Sequence, residues 1–294
     1  MLTQRLQLFF NIFFLVFVSL DGFSQNFLKT SGRSIINQKG DTIILRGMGL
    51  GGWMVQEGYM MAPGGFSGTQ YQIRDKITEL VGEDETNKFY DNWLKNHVRK
   101  IDVDSMKSWG FNLLRVPIHY NLFTVPVEDE PYPGSYTEVN TGYVLLDSLL
   151  GWCEDNEMYM MIDLHAAPGG QGYNADISDY DTSKYSLWES EYNQSKTVEL
   201  WKRLSSRYKD KEWVAGYDLI NEPNWNLPEN ALLKELYVRI TDVIREQGDD
   251  HIIYIEGNWF ANDFTGLAPP WDCLLYTSDA ADDSLRVDLG GRRI

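Results

Sequence analysis

Short runs of apolar residues alternate with longer amphipathic segments through the middle of the chain. Five of the apolar runs have the length of strands, and they stay apolar at consecutive positions rather than at every second one. They cover Thr42–Gly49, Phe111–Ile118, Met158–Leu164, Trp213–Ile220 and His251–Glu256. A strand without alternation is buried on both faces, which is typical of a parallel sheet covered by helices.

Between these runs, apolar residues recur with the period of an α-helix. The predicted helices are Asn96–Trp109, Tyr143–Asn156, Glu191–Tyr208 and Glu229–Gln247. Ahead of the first strand, turns at Ser31-Gly32 and Lys39-Gly40 predict a turned ribbon. The alternation fits either a doubly wound sheet or an eight-stranded β/α barrel. No Gly-x-Gly-x-x-Gly follows any predicted strand, which disfavours a nucleotide-binding sheet.

The first 24 residues have the pattern of a secretory signal peptide. Arg5 supplies a positive charge, and small residues on both sides of Phe23 predict cleavage near Ser24. The apolar run between them, residues 8–20, is shorter than the roughly 20 residues that a bilayer span needs. We therefore expect an exported protein, secreted or periplasmic, that is not held in a membrane after cleavage.

The sequence after Asp272 has neither a helical nor a strand period. Its segments 273–282 and 287–294 resemble translated sequencing adapters around a short variable index. Together, the patterns at the two ends predict a signal peptide at 1–24, the first part of a larger domain at 25–272 and a non-native tail at 273–294. On this hypothesis the natural protein continues beyond Asp272, whereas a genuine divergent tail is the alternative.

Charge and aromatic content narrow the class of ligand. The chain has 26 basic and 43 acidic residues, a net charge of -17, which repels the phosphates of nucleic acid. Its 10 Trp and 17 Tyr provide flat faces for a neutral ligand. Two cysteines, Cys153 and Cys273, are too few for a disulfide framework or a cysteine-bound metal.

Polar and aromatic residues follow each of the five predicted strands. They are Gly51-Gly52-Trp53 with Glu57, Arg115-Val-Pro-Ile-His119, Asp163-Leu-His165, Asn221-Glu222-Pro223 and Glu256-Gly-Asn-Trp259. In a β/α barrel these strand ends meet at one mouth, where active sites lie. Taken singly, each has a structural interpretation: Trp53 as a packing residue, His165 as a buried hydrogen-bonded histidine. Asp163 and Asp218, within strands, are expected to be structural hydrogen-bond acceptors.

The ordered set of Gly-Gly-Trp, Arg-Val-Pro, Asp-Leu-His-Ala-Ala-Pro-Gly and Ile-Asn-Glu-Pro resembles glycoside hydrolase family 5 over about residues 27–272. The stretches LGGWMVQEGYM and DLHAAPGGQ resemble its exo-β-1,3-glucanase branch. The resemblance implies an α/β fold, the (β/α)8 TIM barrel, of which about strands 1–5 are present. It also implies a retaining β-glycoside hydrolase of neutral β-glucans, monomeric at full length, with no cofactor and no metal.

The resemblance assigns roles to individual residues. Glu222 matches the general acid/base, and Asn221 matches the amide that binds the sugar 2-hydroxyl. Arg115 matches the arginine that supports the ionised nucleophile, and His165 matches a histidine that contacts substrate. Further substrate-binding roles are implied for Glu57, Trp53, Tyr173 and Asn174.

A retaining mechanism needs a second carboxylate about 5–5.5 Å from the first. In the family it lies on the seventh strand, after a His-x-Tyr on the sixth, and neither strand is found before Asp272. Glu256 lies on the fifth strand, where the resemblance gives it no such role, so an indirect role in the site is favoured. The chain as it stands is therefore expected not to turn over substrate.

Other interpretations remain open at this point. A family 5 enzyme acting on cellulose, xyloglucan or mannan would share the same motifs. A non-catalytic carbohydrate-binding relative would keep the cleft and lack the nucleophile. A metal-dependent hydrolase would have to use His119 and His165, but the sequence contains no His-x-His or His-Glu-x-x-His spacing.

Overall fold

The computed structural model describes residues 27–61, 68–267 and 275–277, and its main feature is one parallel sheet. Neighbouring strands pair in register from Gly47 beside Leu113 to Ile253 beside Leu275, in the order of the chain. The strands are β3 (Gly47–Gly49), β4 (Leu113–His119), β5 (Tyr159–Ala166), β6 (Val214–Asp218), β7 (Ile253–Ile255) and β8 (Leu275–Thr277). Parallel neighbours need a crossover between every pair.

Helices supply most of these crossovers. They are α1 (Gly58–Met61), α2 (Gln70–Val81), α3 (Glu83–Asn96), α4 (Lys100–Ser108), α5 (Thr141–Asp155), α6 (Ala175–Ser178), α7 (Glu191–Tyr208), α8 (Ala231–Glu246) and α9 (Asn258–Ala261), the last with left-handed residues inside it. Short 3-10 turns occupy Tyr120–Leu122, Val127–Asp129 and Pro228–Asn230. In the described part of the chain, none of the helices combines the length and apolarity that a membrane crossing needs.

The two faces of the sheet are buried in different ways. Val116 of β4 shares a large apolar cluster with Leu146 of α5 and other helix residues. Leu113 and Tyr159 belong to a second, smaller cluster that contains no buried helix residue. A doubly wound sheet would carry helices on both faces, so helices on one face alone identify an incomplete β/α barrel. This decides between the two predicted architectures.

An antiparallel hairpin closes the end of the barrel at which the strands begin. It consists of β1 (Lys29–Ser31) and β2 (Ser34–Ile36), joined by a turn in which Gly32 has a φ of 60°. Ile35 of the hairpin packs into the smaller cluster with residues from the starts of β4 and β5. The predicted ribbon is thus confirmed, and the opposite end of the barrel is left for a site.

The predicted elements agree with the observed ones to different degrees. Helix α7 begins and ends at the predicted residues. The first predicted strand is too long, because Thr42 pairs with Ile36 of the hairpin and only Gly47–Gly49 joins the sheet. Helices α2 and α3 were not predicted. Both carry apolar residues at helical spacing, so the sequence did hold a helix signal there, although each helix buries a single residue.

The two predicted terminal segments lie largely outside the described residues. The signal peptide at 1–24 lies wholly outside them, and so does most of the tail at 273–294. Within the tail, Leu275–Thr277 forms β8 beside β7, so the expectation of no strand there is wrong for these three residues. The edge of β7 that faces away from β6 can form hydrogen bonds with any short extended segment, and here it pairs with β8. The non-native origin of the tail stays a prediction.

Candidate active site

Four charged side chains from four successive strands meet at the carboxyl end of the barrel. Arg115 lies on β4, Asp163 on β5 and Asp218 on β6, while Glu256 directly follows β7. Asp163 and Asp218 are register partners, so they lie side by side. Because successive side chains on a strand alternate between faces, these four point into the barrel while their apolar neighbours face the helices.

Arg115 holds this group together. Its Nη1 lies 3.0 Å from Asp163 Oδ2, and its Nη2 lies 2.7 Å from Asp218 Oδ2 and 3.3 Å from Glu256 Oε1. Burial lowers the pKa of Arg115, but the three carboxylates outweigh that effect and leave the pKa above its usual value. The guanidinium is therefore a fixed positive charge beneath the mouth of the barrel.

His165, near the end of β5, lies between two carboxylates. Its Nδ1 is 2.8 Å from Asp163 Oδ2, and its Nε2 is 3.3 Å from Glu57 Oε1 without the geometry of a hydrogen bond. Burial lowers the pKa of His165, but the charge and hydrogen bond of Asp163, together with Glu57, raise it to about 9. The ring is thus positively charged at neutral pH, and its Nε2 is paired with Glu57 by charge but has no hydrogen-bond partner among the described residues.

Glu222 lies in the turn after β6 and is half-buried. Its φ of 42° is left-handed, and its backbone N–H donates to Glu256 Oε2 at 2.7 Å. Burial raises the pKa of the Glu222 carboxyl. The charges of His165 and Arg115 oppose that increase, and those of Glu57 and Asp163 add to it. Glu222 therefore holds its proton to a higher pH than an exposed glutamate does.

Asn221 precedes Glu222, and the oxygen of its side-chain amide is hydrogen-bonded within the protein. Its Oδ1 accepts from Arg115 Nη2 at 2.8 Å, and its backbone N–H donates to Leu164 O at 3.1 Å. Its Nδ2 is buried and has no hydrogen-bond partner among the described residues. A buried amide donor without a partner is unusual in a folded protein and is available to a ligand oxygen.

Gln171 was not predicted, although it is the last residue of the quoted stretch DLHAAPGGQ. It is completely buried, and its Nε2 donates to His165 O at 2.7 Å and to Asn221 O at 2.9 Å. Its Oε1 accepts from the Ala167 N–H at 3.1 Å. One side chain therefore joins the ends of β5 and β6 and fixes the relative positions of His165 and Asn221.

Tyr173 and Asn174 lie on the loop after β5. The Tyr173 ring is exposed and stacks on Trp225, with the centroids 4.0 Å apart and the planes at 13°. The backbone N–H of Tyr173 donates to Asn224 O at 2.9 Å, which ties this loop to the turn that carries Glu222. Asn174 is exposed at the start of α6 and does not cap it.

Glu57 and Trp53 are neighbours in sequence but have different surroundings. Glu57 is buried at the mouth, beside His165. Trp53 is buried in the large apolar cluster, and its Nε1 donates to Leu94 O of α3 at 2.8 Å. A ring packed in this way has no face for a sugar, so the implied substrate contact of Trp53 is corrected here to a packing role. The sequence pattern alone does not give the direction of the side chain.

The site offers no obvious place for a metal ion. In residues 27–61, 68–267 and 275–277, no three His, Cys, Asp or Glu side chains are grouped so that they could hold one. The carboxylates of the cluster face the cations Arg115 and His165 instead. This arrangement suits acid/base chemistry on a neutral ligand.

Comparisons with known proteins were made on both sequence and structure. The family model described as "Cellulase (glycosyl hydrolase family 5)" matches residues 71–279. A β-xylosidase of Phanerodontia chrysosporium is 35% identical, with 81% of this chain and 48% of the relative covered. A glucan 1,3-β-glucosidase of Lachancea kluyveri is 28% identical over 82% of this chain and 54% of the relative. The chain spans about half the length of these relatives.

Two crystal structures share the fold. A rutinosidase from Aspergillus niger has a TM-score of 0.63 at 17% identity, covering 80% of this chain and 68% of its own. A β-glucanase from Saccharophagus degradans, in complex with cellotetraose, has a TM-score of 0.54 at 20% identity, covering 86% and 61%. At these identities the likeness concerns the backbone arrangement alone, and it agrees with the incomplete barrel described above.

Proposed function

The chain belongs to glycosyl hydrolase family 5, and from that premise we propose that the gene product of the whole source locus cleaves the glycosidic bonds of a β-glucan, with Glu222 as general acid/base. Cleavage requires a proton on the departing glycosidic oxygen, and a carboxyl with a raised pKa can supply it near neutral pH. The half-buried Glu222 beside Arg115 and His165 is the observation that carries the proposal.

The neighbours of Glu222 have complementary tasks in this proposal. The unpartnered Nδ2 of Asn221 donates to the sugar 2-hydroxyl, a contact that strengthens in the transition state of glycoside hydrolysis. His165 Nε2 and Glu57 bind further hydroxyls, and Tyr173 supplies a stacking face. Arg115 contacts the three surrounding carboxylates and holds them in place.

The substrate class rests on the relatives and on charge. Glucan 1,3-β-glucosidases and a β-xylosidase are among the relatives, and the strongly acidic chain favours a neutral polymer. We propose a β-1,3-glucan as substrate, cellulose, xyloglucan and mannan being the alternatives. The pattern at 1–24 supports export to the place where such polymers occur. Monomeric behaviour is part of the same proposal.

A second candidate function is sugar binding without turnover. Asp163, Asp218 and Glu256 all lie within ion-pair distance of Arg115. All three are buried, and the family resemblance assigns none of them the second role that a retaining mechanism needs. If the protein binds β-1,3-linked oligosaccharides but does not hydrolyse them, this second function applies.

The experiment uses the gene product of the whole source locus and compares its rates of hydrolysis on two substrates. A dinitrophenyl β-glucoside has an acidic leaving group that departs without protonation, whereas a β-1,3-glucan needs an acid. We expect Glu222→Gln to slow glucan hydrolysis about 10²–10⁴-fold and to slow glycosyl transfer from the dinitrophenyl substrate far less. Glu229→Gln, an exposed carboxyl in the same loop, is the control and should match the wild type. Equal loss on both substrates would contradict the assignment of Glu222.

A further inference from the structure

We infer that Glu256 is a positioning residue that holds the backbone of Glu222 in its left-handed conformation. The inference rests on the proposed role of Glu222 and adds to it the residue that fixes the acid in place. Glu256 contacts Glu222 and Arg115 and has no direct contact with the sugar in this role. It acts through the main chain of Glu222 and through Arg115.

Both carboxyl oxygens of Glu256 are used within the protein. Oε1 lies 3.3 Å from Arg115 Nη2, and Oε2 accepts the backbone N–H of Glu222 at 2.7 Å. Glu256 is only 8% exposed. A buried carboxyl group costs free energy unless its partners compensate, so the position calls for a carboxyl with a specific task.

That task is apparent from the backbone of Glu222. A left-handed φ is strained for a non-glycine residue and persists only where the surroundings impose it. The next residue, Pro223, has no N–H with which to anchor the turn and disfavours the right-handed helical conformation in the residue before it. The hydrogen bond to Glu256 therefore anchors this turn on its amino side, on the same peptide unit whose carbonyl, Asn221 O, accepts from Gln171 Nε2 at 2.9 Å.

Glu256 is itself fixed from the helix layer. The hydroxyl of Tyr237, fully buried on α8, donates to Glu256 O at 2.9 Å and accepts the Glu256 N–H at 3.3 Å. A chain of hydrogen bonds therefore connects α8 through Glu256 to the backbone of Glu222. Because Arg115 Nη2 also donates to Asn221 Oδ1, the proton donor and the neighbouring amide share one framework.

The test measures the pKa of Glu222 by carboxyl ¹³C NMR in the 294-residue chain, with its signal assigned from Glu222→Gln. Four groups set that pKa besides burial: His165, Arg115, Glu57 and Asp163. Glu256→Gln keeps an oxygen that can accept the Glu222 N–H, so the pKa should stay raised. Glu256→Ala removes the anchor, and the pKa should fall toward its ordinary value by about 0.5 unit or more.

A matched control separates positioning from general loss of structure. Tyr217→Phe removes a buried hydrogen bond to Asp249 elsewhere in the sheet and should leave the pKa of Glu222 unchanged. If Glu256→Ala does not fold, Glu256→Asp, which withdraws the oxygen by one methylene, takes its place with the same expectation. An unchanged pKa in every folded variant would overturn the inference. That result would leave the leaving-group experiment on Glu222 unaffected, so the two proposals fail separately.

Discussion

Two aspartate–histidine pairs in this protein have the same local sequence pattern and opposite surroundings. In each, the histidine follows the aspartate by two residues, with Nδ1 at 2.8 Å for Asp163–His165 and 2.7 Å for Asp249–His251. The first pair lies at the carboxyl end of the sheet, on β5. The second lies before β7, at the end of the barrel closed by the hairpin.

The difference is in the remaining polar atoms. His251 Nε2 lies 3.0 Å from Lys211 O, and Asp249 also accepts the Tyr217 hydroxyl at 2.6 Å. In the other pair, His165 Nε2 and Asp163 Oδ1 are buried without a hydrogen-bond partner among the described residues. Buried polar groups are nearly always satisfied, so the unsatisfied pair indicates a place where a ligand completes the network.

The largest expected effect comes from neutralising each aspartate. Asp163→Asn removes the charge between Arg115 and His165, and we expect affinity for a β-1,3-linked gluco-oligosaccharide to fall about 10–100-fold, as for a lost charged hydrogen bond. Asp249→Asn should leave affinity unchanged and lower the free energy of unfolding by about 2–4 kcal/mol. Calorimetry and urea unfolding measure the two quantities. Equal effects of the two variants on affinity would contradict the comparison.

These functional and structural roles could be predicted from the sequence only in part. The apolar run of β5 and the period of α7 were readable, and Ile-Asn-Glu-Pro located Glu222. Asp163 was expected to be a structural acceptor, which its contacts confirm, but its partner Arg115 is 48 positions earlier on another strand. The long-range contacts of Gln171 leave no periodic signal along the chain.

The direction of a side chain was the other feature that could not be predicted from the sequence. Trp53 was assigned to the sugar pocket because its motif has that role in the family, yet its ring points into the apolar cluster. Glu57, four residues later, does reach His165. Local pattern predicts which strand ends carry a site, whereas packing in three dimensions decides which side chains enter it.

A smaller effect concerns pH. The pKa of His165 is raised to about 9 in the folded state, above the 6.5 of an unfolded chain. The contribution of the Asp163–His165 pair to the free energy of unfolding is therefore fully present below pH 6.5 and is lost as the pH rises through 9. Between pH 6.5 and 9 we expect the free energy of unfolding of the wild type to fall by about 3 kcal/mol relative to that of His165→Gln. Urea unfolding at several pH values measures this difference. Asp163→Asn should remove most of this pH dependence, and an unchanged dependence would show that another group causes it.

The smallest expected effect is on stability, and it concerns the Asp249–His251 pair, whose polar atoms are hydrogen-bonded. Tyr217→Phe deletes one hydrogen bond to Asp249 and should lower the free energy of unfolding by about 1–2 kcal/mol. The ring still packs against Trp201, so the fold is retained. Oligosaccharide affinity, measured by calorimetry on the same samples, should not change. A loss of affinity would mean that the two ends of the barrel are coupled.

The central claim is that His165 Nε2 and Asn221 Nδ2 complete their hydrogen bonds with a sugar. A crystal structure of Glu222→Gln with a bound β-1,3-linked gluco-oligosaccharide tests it directly. We predict sugar hydroxyls within about 2.7–3.2 Å of Asn221 Nδ2 and His165 Nε2, with Tyr173 against a sugar face. A sugar bound elsewhere, with both of those nitrogens still unpartnered, would contradict the account.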